Sequence, residues 1–248
     1  MRKKMRRWIC ELILPADCEL KPRPVADRFR WLRSIGIDTI IDIGANTGQF
    51  AAFIRKKFPD ARIYSFEPLE DCYRQLIEAH RHDRKFRGFH LAISDQSGST
   101  RFHRSSFPES SSLLPMGSLH KENFPFSRDS EVVTVRTSRL DDLTDELPLG
   151  EHLLVKIDVQ GVEDRVLRGG MGVIRKADVI FIETNFQELY EGQWLFKEIL
   201  DFLYAEGFRY MGNRDGHLLS PIDGSCLQED SIFVHSRCIN ERGGLRHP

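Results

Sequence analysis

Thr39-Ile40-Ile41-Asp42-Ile43-Gly44-Ala45-Asn46-Thr47-Gly48 is a short β-branched run that ends in an acid and breaks into a glycine-containing turn. A second run, Arg62-Ile63-Tyr64-Ser65-Phe66, also ends in an acid, Glu67. Between the two, Phe50, Phe53, Ile54 and Phe58 recur at helical spacing while Arg55, Lys56 and Lys57 face outward. That spacing predicts a crossover helix over residues 50–58, closed by Pro59-Asp60. Strand, glycine loop, helix and a second strand tipped by a carboxylate make a nucleoside-binding half of an α/β sheet.

The loop narrows the choice of nucleoside. A dinucleotide fingerprint needs G-x-G-x-x-G, whereas this loop has only G-x-x-x-G, with Asp42 two residues before the first glycine. No G-x-x-x-x-G-K-[ST] phosphate loop occurs anywhere in the chain. D-x-G-x-x-x-G followed by a ribose acid is the usual form of an S-adenosylmethionine site, whose loop holds the methionine moiety. Gly44 and Gly48 allow a tight turn and close approach of a ligand. Amides at the next helix start face the crevice and favour an anionic group. Glu67 stands where a ribose diol would donate two charge-assisted hydrogen bonds.

Composition bounds the rest. A chain of 248 residues with 40% hydrophobic and 10% aromatic content suits one large α/β domain. A net charge of −1 argues against a broad nucleic-acid surface. Cys10, Cys18, Cys72, Cys226 and Cys238 are odd in number and never in C-x-x-C, which reads as a reduced cytoplasmic chain without a disulfide framework or zinc site. No apolar run is long enough to span a membrane. At the N-terminus, Arg2, Lys3, Lys4, Arg6 and Arg7 precede Trp8, Ile9, Leu12, Ile13 and Leu14. This reads as a start helix packed on the domain, with peripheral contact to anionic lipid as the alternative. Lys21-Pro22-Arg23-Pro24 then breaks the chain.

Beyond the first half-fold, the sequence predicts helices over residues 27–35, 71–80, 162–167 and 194–206. Strands are predicted over 88–93, 153–158 and 179–183, and late strands near 208–211 and 231–234 that pair antiparallel at one edge. Alternating strands and helices with short connections mean a doubly wound sheet. The expected organisation is an N-terminal extension (1–38), a main domain (39–235) and a tail (236–248). Residues 103–130 break the rhythm, mixing eight serines and three prolines with Phe107, Leu113, Leu114, Met116, Leu119, Phe124 and Phe126. A plain linker is not so apolar, so the segment reads as a substrate-covering flap or a partly disordered loop.

Several short motifs then fall in one order: I-D-I-G-A-N-T-G (41–48), F-E-P (66–68), A-I-S-D (92–95), S-S-S-L (110–113) and R-L-D-D-L (139–143). L-V-K-I-D-V-Q-G-V-E (154–163), V-L-R-G-G (166–170) and F-I-E-T (181–184) follow. On these the chain resembles the FkbM family of S-adenosylmethionine-dependent methyltransferases over roughly residues 39–210. The resemblance implies a seven-stranded, mostly parallel Rossmann-like methyltransferase sheet with helices on both faces, and O-methylation of a saccharide, glycolipid or natural-product hydroxyl. One departure is Gln160, where the family often has Glu.

In an open α/β sheet the ligand lies beyond the carboxyl ends of the strands, so Asp42, Glu67, Asp158 and Glu183 are expected on one rim. Glu67 is the ribose candidate, and Asp42 is expected to orient the loop or the cofactor's amino group. Asp95 is placed for the adenine amino group, and Leu69 and Ile93 for the ring. Gly44, Ala45, Asn46, Gly48 and Pro68 complete the cofactor set. Asp158 is the candidate base, with Lys156 on the same strand face; the two read equally as a buried ion pair. Glu183 contacts substrate or caps the next helix. Glu163 reads as an acid at a helix start. A divalent cation on Asp158 and Glu183 is chemically reasonable, but no spacing demands one. Two readings of other classes stand beside the methyltransferase: a non-catalytic binding module on the same fold, and a nicotinamide-dependent oxidoreductase.

Overall fold

The computed structural model describes residues 29–239. The chain divides into a short unit, Met1–Arg30, and a main unit, Trp31–Pro248. The expectations for the basic N-terminus and for the tail beyond residue 239 lie outside the described residues.

Five strands of the main sheet are parallel: β1 (Thr39–Ile43), β2 (Arg62–Glu67), β3 (Phe86–His90), β7 (Leu153–Ile157) and β8 (Ala177–Asn185). β10 (Cys226–His235) runs antiparallel to β8 and to the edge strand β9 (Phe208–Leu219), giving the order β3-β2-β1-β7-β8-β10-β9. Every residue of β1, β7 and β8 is buried, as the near-continuous apolar runs of central parallel strands require. β9 is polar and partly exposed along most of its length, which suits an edge. Helices α2 (Gln49–Arg55), α3 (Glu70–Ala79), α5 (Glu163–Gly169), α6 (Met171–Ile174) and α7 (Phe196–Ala205) form the connections around it. α1 (Arg30–Ile35) precedes β1, and its Leu32 and Ile35 are buried.

The strand expected over residues 88–93 is two strands in two sheets. β3 ends at His90, and the Leu91 amide donates to the Glu67 carbonyl (3.1 Å). The chain then turns away. β4 (Ala92–Ile93) pairs in parallel with β6 (Ser130–Ser138), which pairs antiparallel with β5 (Gly98–Ser105). Leu69, Cys72, Ala92, Phe102 and Val135 fill the space between this small sheet and α3.

β5 and β6 account for the ends of the serine-rich segment. Its serines satisfy backbone groups in turns that no helix or ladder covers: Ser105 Oγ donates to the Ser127 carbonyl (2.6 Å), and Ser111 Oγ accepts from the Ser105 amide (3.0 Å). Helix α4 (Ser118–Asn123) lies inside the segment. The Gly117 amide reaches the Leu189 carbonyl (2.8 Å) and the Glu191 amide reaches the Pro115 carbonyl (3.0 Å), tying the segment to the loop after β8. The serines here make local hydrogen bonds to backbone.

Candidate active site

The order reverses between β1 and β7, and a cavity of about 700 Å³ opens beyond the carboxyl ends of β1, β2, β7 and β8. Gly44, Ala45, Asn46, Glu67, Pro68, Leu69 and Ile93 line it, as do Lys156, Asp158 and Glu183. Asp42, Gly48 and Asp95 are not among the residues that line it. Asp42 is fully buried one layer below, where its carboxylate accepts from Ser65 Oγ (3.2 Å) and pairs with Lys156 Nζ (3.4 Å). Gly48 lacks a side chain because a Cβ there would meet Leu76 at 2.9 Å and His80 at 3.0 Å. Asp95 follows β4 into the second sheet and accepts from Ser94 Oγ (3.2 Å).

The glycine loop is pinned from below. Gly44 and Ala45 amides both donate to the Phe66 carbonyl at 3.1 and 3.0 Å. Gly44 sits at φ +76°, and a Cβ there would lie 1.8 Å from the Asp158 carbonyl oxygen. The glycine therefore serves the contact between the β1 and β7 loops as well as ligand approach. Glu67 accepts from the Asn46 amide and the Leu69 amide, each at 2.8 Å, one on each carboxyl oxygen. Burial raises its pKa to about 7 against these two bonds. A buried acid with free lone pairs at the cavity wall is what a ribose diol requires. Leu69, Leu91 and Ile93 beside it form an apolar slot suited to a purine. These residues fit a nucleoside cofactor.

On the other side, Lys156 joins the two halves. Its ammonium donates to the Gly44 carbonyl (2.7 Å) and pairs with Asp42 and Asp158, each at 3.4 Å. Burial lowers its pKa, but the Asp158 and Asp42 charges outweigh burial and the net direction is up, so it stays an ammonium. Asp158 and Glu183 are bridged by one amide: Gln160 Nε2 donates to Asp158 Oδ1 (2.9 Å) and to Glu183 Oε2 (2.7 Å). Gln228 Nε2 donates to the other Glu183 oxygen (2.6 Å). Glu183 has these partners and caps no helix. Burial, then the Asp158 charge, raises its pKa well above the ordinary carboxylate range. Glu163 opens α5, as expected, and accepts from the Val159 and Gly161 amides; burial raises it to about 7.

Gln160 was visible in the sequence only as a departure from a pattern. Tyr190 was not visible at all. The Tyr190 hydroxyl lies 2.8 Å from Gln160 Oε1 and 3.0 Å from the Ser110 carbonyl, and Ser112 Oγ donates to the Gln160 carbonyl. Gln160 holds φ +58°, and Gly161 at φ +98° leaves room for Tyr190, whose Cβ a side chain would meet at 2.8 Å. The signal for Tyr190 would have been its place just past the end of a central strand. Among the described residues no cluster of three His, Cys, Asp or Glu side chains has metal-binding geometry, and no helix is long and apolar enough to cross a membrane.

A doubly wound sheet with a pinned glycine loop, a buried acid at the second strand tip and a carboxylate pair across the cavity defines a methyltransferase of the Rossmann-like class. The chain belongs to the FkbM methyltransferase family, whose domain matches residues 42–210. It is 34% identical over 170 residues to the 2-O-methyltransferase NoeI of Sinorhizobium fredii, covering 66% of this chain and 70% of that protein. The 31-O-demethyl-FK506 methyltransferase FkbM of Streptomyces tacrolimicus is 26% identical over 201 residues, 72% of this chain and 75% of that one. The hexuronic acid methyltransferase AglP of Haloferax volcanii is 26% identical over 149 residues, 60% and 56% respectively. The cofactor is accordingly S-adenosylmethionine, and the oxidoreductase reading is set aside.

Proposed function

We propose that this chain methylates a neutral hydroxyl, carried by a saccharide or a saccharide-bearing natural product, with Asp158 as the base. The observation that carries this reading is the Asp158–Gln160–Glu183 bridge facing Glu67 across one cavity. When bound, S-adenosylmethionine supplies an electrophilic methyl group on a sulfonium. Glu67 would accept from its ribose hydroxyls, and the slot of Leu69, Leu91 and Ile93 would cover its adenine. Asp158, fixed by Lys156 and Gln160, accepts the hydroxyl hydrogen of the acceptor and takes the proton as the new C–O bond forms. The electron pair of the broken C–S bond stays on sulfur. Glu183, held by Gln160 and Gln228 and with its pKa raised by burial, orients the acceptor. The relatives NoeI, a 2-O-methyltransferase, and FkbM, a 31-O-demethyl-FK506 methyltransferase, are named for oxygen positions, which supports a hydroxyl here.

The lining charges favour a neutral acceptor. Glu109, Asp158 and Asp215 face two cations, Lys156 and Arg214, and both cations already have carboxylate partners. An anionic acceptor would meet more like charge than unlike.

The test is transfer of a labelled methyl group to a panel of monosaccharides, uronic acids and glycosides, with products read by mass spectrometry. A base-stable methyl ether is expected. Asp158→Asn should lose about 10²-fold or more in kcat with S-adenosylhomocysteine affinity retained. A methyl ester or methylamine product, or a fully active Asp158→Asn, refutes the proposal.

A further inference from the structure

The cavity floor is charged, but its mouth is apolar. Phe107, Phe126 and Leu218 line the cavity and are nevertheless 41%, 64% and 40% exposed. Phe107 and Phe126 come from the serine-rich segment and meet edge to face with centroids 5.2 Å apart. Leu218 comes from the β9–β10 hairpin. Ser220 Oγ donates to Asn123 Oδ1 (2.7 Å), joining the hairpin to α4 just before Phe124 and Phe126, so the two sides of the mouth are continuous. Leu218 also stands directly opposite Gln228 across the β9–β10 ladder, and Gln228 holds Glu183. The apolar surface thus begins one cross-strand neighbour from the reacting carboxylates.

Exposed apolar side chains lining a cavity mark something that covers them. We propose that the mouth binds a hydrocarbon chain attached to the acceptor, so that the acceptor is an amphiphile. Its hydroxyl-bearing head reaches Asp158 while an alkyl, acyl or isoprenoid chain lies over Phe107, Phe126 and Leu218. This rests on the hydroxyl-acceptor reading above and specifies its substrate class. The occupant is the acceptor's own chain because the mouth and the carboxylates belong to one cavity: a molecule seated on the one is continuous with the other. A membrane surface fits less well. Among the described residues lining the cavity, the charged ones beyond the floor are Glu109, Arg214 and Asp215, and Arg214 is paired with Asp215 and Asp230, so these residues form no basic patch for anionic lipid.

The experiment is calorimetric titration of the full chain, loaded with S-adenosylhomocysteine, with methyl, hexyl and octyl β-D-glucopyranoside below their micelle concentrations. Affinity should rise roughly fourfold for each two methylenes added, about half the increment of full burial, because the mouth is open on one side. Saturable one-to-one binding of the octyl compound is expected. A Phe126→Ser, Leu218→Ser double variant should lose the chain-length increment and bind S-adenosylhomocysteine as the wild type does. Equal affinity for methyl and octyl compounds, an increment that survives in the variant, or non-saturating uptake overturns the proposal. So does sedimentation with phosphatidylglycerol vesicles without any chain-length effect. Octyl tetraethylene glycol carries the same chain on a head with no sugar ring. Its binding reads the chain site alone, whereas the methyl-transfer panel reads the hydroxyl-acceptor proposal, so the two fail separately.

Discussion

Glu67 makes ligand-free stability and cofactor affinity respond to pH in opposite directions. In the free protein its pKa is raised to about 7, with burial as the largest cause. The unfolded value is near 4.5, so the folded chain binds the proton more tightly. Its contribution to stability is fully present below about pH 4.5 and is lost as pH rises through about 7, a total of about 3 kcal/mol. A ribose diol, by contrast, donates best to the ionised form. With a pKa of about 7, roughly one molecule in ten is ionised at pH 6 and nine in ten at pH 8, so the dissociation constant of S-adenosylhomocysteine should fall about tenfold over that range. Calorimetry at pH 6, 7 and 8 in two buffers of different ionisation enthalpy reads both the affinity and the proton released. Release should approach one proton per ligand at pH 6 and vanish toward pH 8. Glu67→Gln should bind more weakly and without this pH dependence, which separates Glu67 from Glu163, also near 7 but off the cavity wall. A wild-type dissociation constant equal at pH 6 and pH 8, or the same slope in Glu67→Gln, refutes the assignment of Glu67 to the ribose.

Lys156→Met should destabilise the fold by about 3–5 kcal/mol, measured by urea unfolding, because Asp42 stays buried without its cation. Adding Asp42→Asn should restore part of that loss; an additive double variant would mean that the ion pair is not what Lys156 contributes. Gly44→Ala should abolish S-adenosylhomocysteine binding and cost about 3 kcal/mol or more, since φ +76° and a backbone oxygen 1.8 Å from the new Cβ leave no relaxed solution. Gln160→Glu places a third acid between Asp158 and Glu183. It should lower the melting temperature more at pH 8 than at pH 5.5, by about 1–3 kcal/mol in stability, and a variant indistinguishable from wild type at both pH values would remove Gln160 from the bridge.

The parts of the fold that were legible in sequence are those whose signal is local. β1, β2, β7 and β8 read as strands because burial on both faces demands unbroken apolar runs, and the acids ending three of them, Glu67, Asp158 and Glu183, sit at the cavity for the same geometric reason. Asp42 has a strand position that resembles theirs but lies off the cavity wall. Its side chain faces Ser65 and Lys156 below the loop, and an alternation within one strand does not reveal which face the cavity occupies. The change of sheet at Leu91 was hidden because an apolar run looks the same whichever partner strand it meets. The serine-rich segment was ambiguous because it is held by side chain–backbone bonds to residues far off in sequence, such as Ser112 to Gln160. Gln160 and Tyr190 share that cause: each gains its meaning from partners on other loops.

The reversal of strand order also bears on how the chain acquires activity during folding. β1 and β7 are hydrogen-bonded neighbours, Thr39 beside Leu153, although more than a hundred residues separate them. Such a pairing carries a heavy loop-closure cost and forms slowly, after the local β1–α2–β2 unit. Lys156 reaches Gly44, and Gly44 receives the Asp158 carbonyl, only once that pairing is complete. Newly made or refolding chains should therefore gain native helix content well before they gain cofactor affinity, and ligand binding then reports closure of the β1–β7 seam specifically.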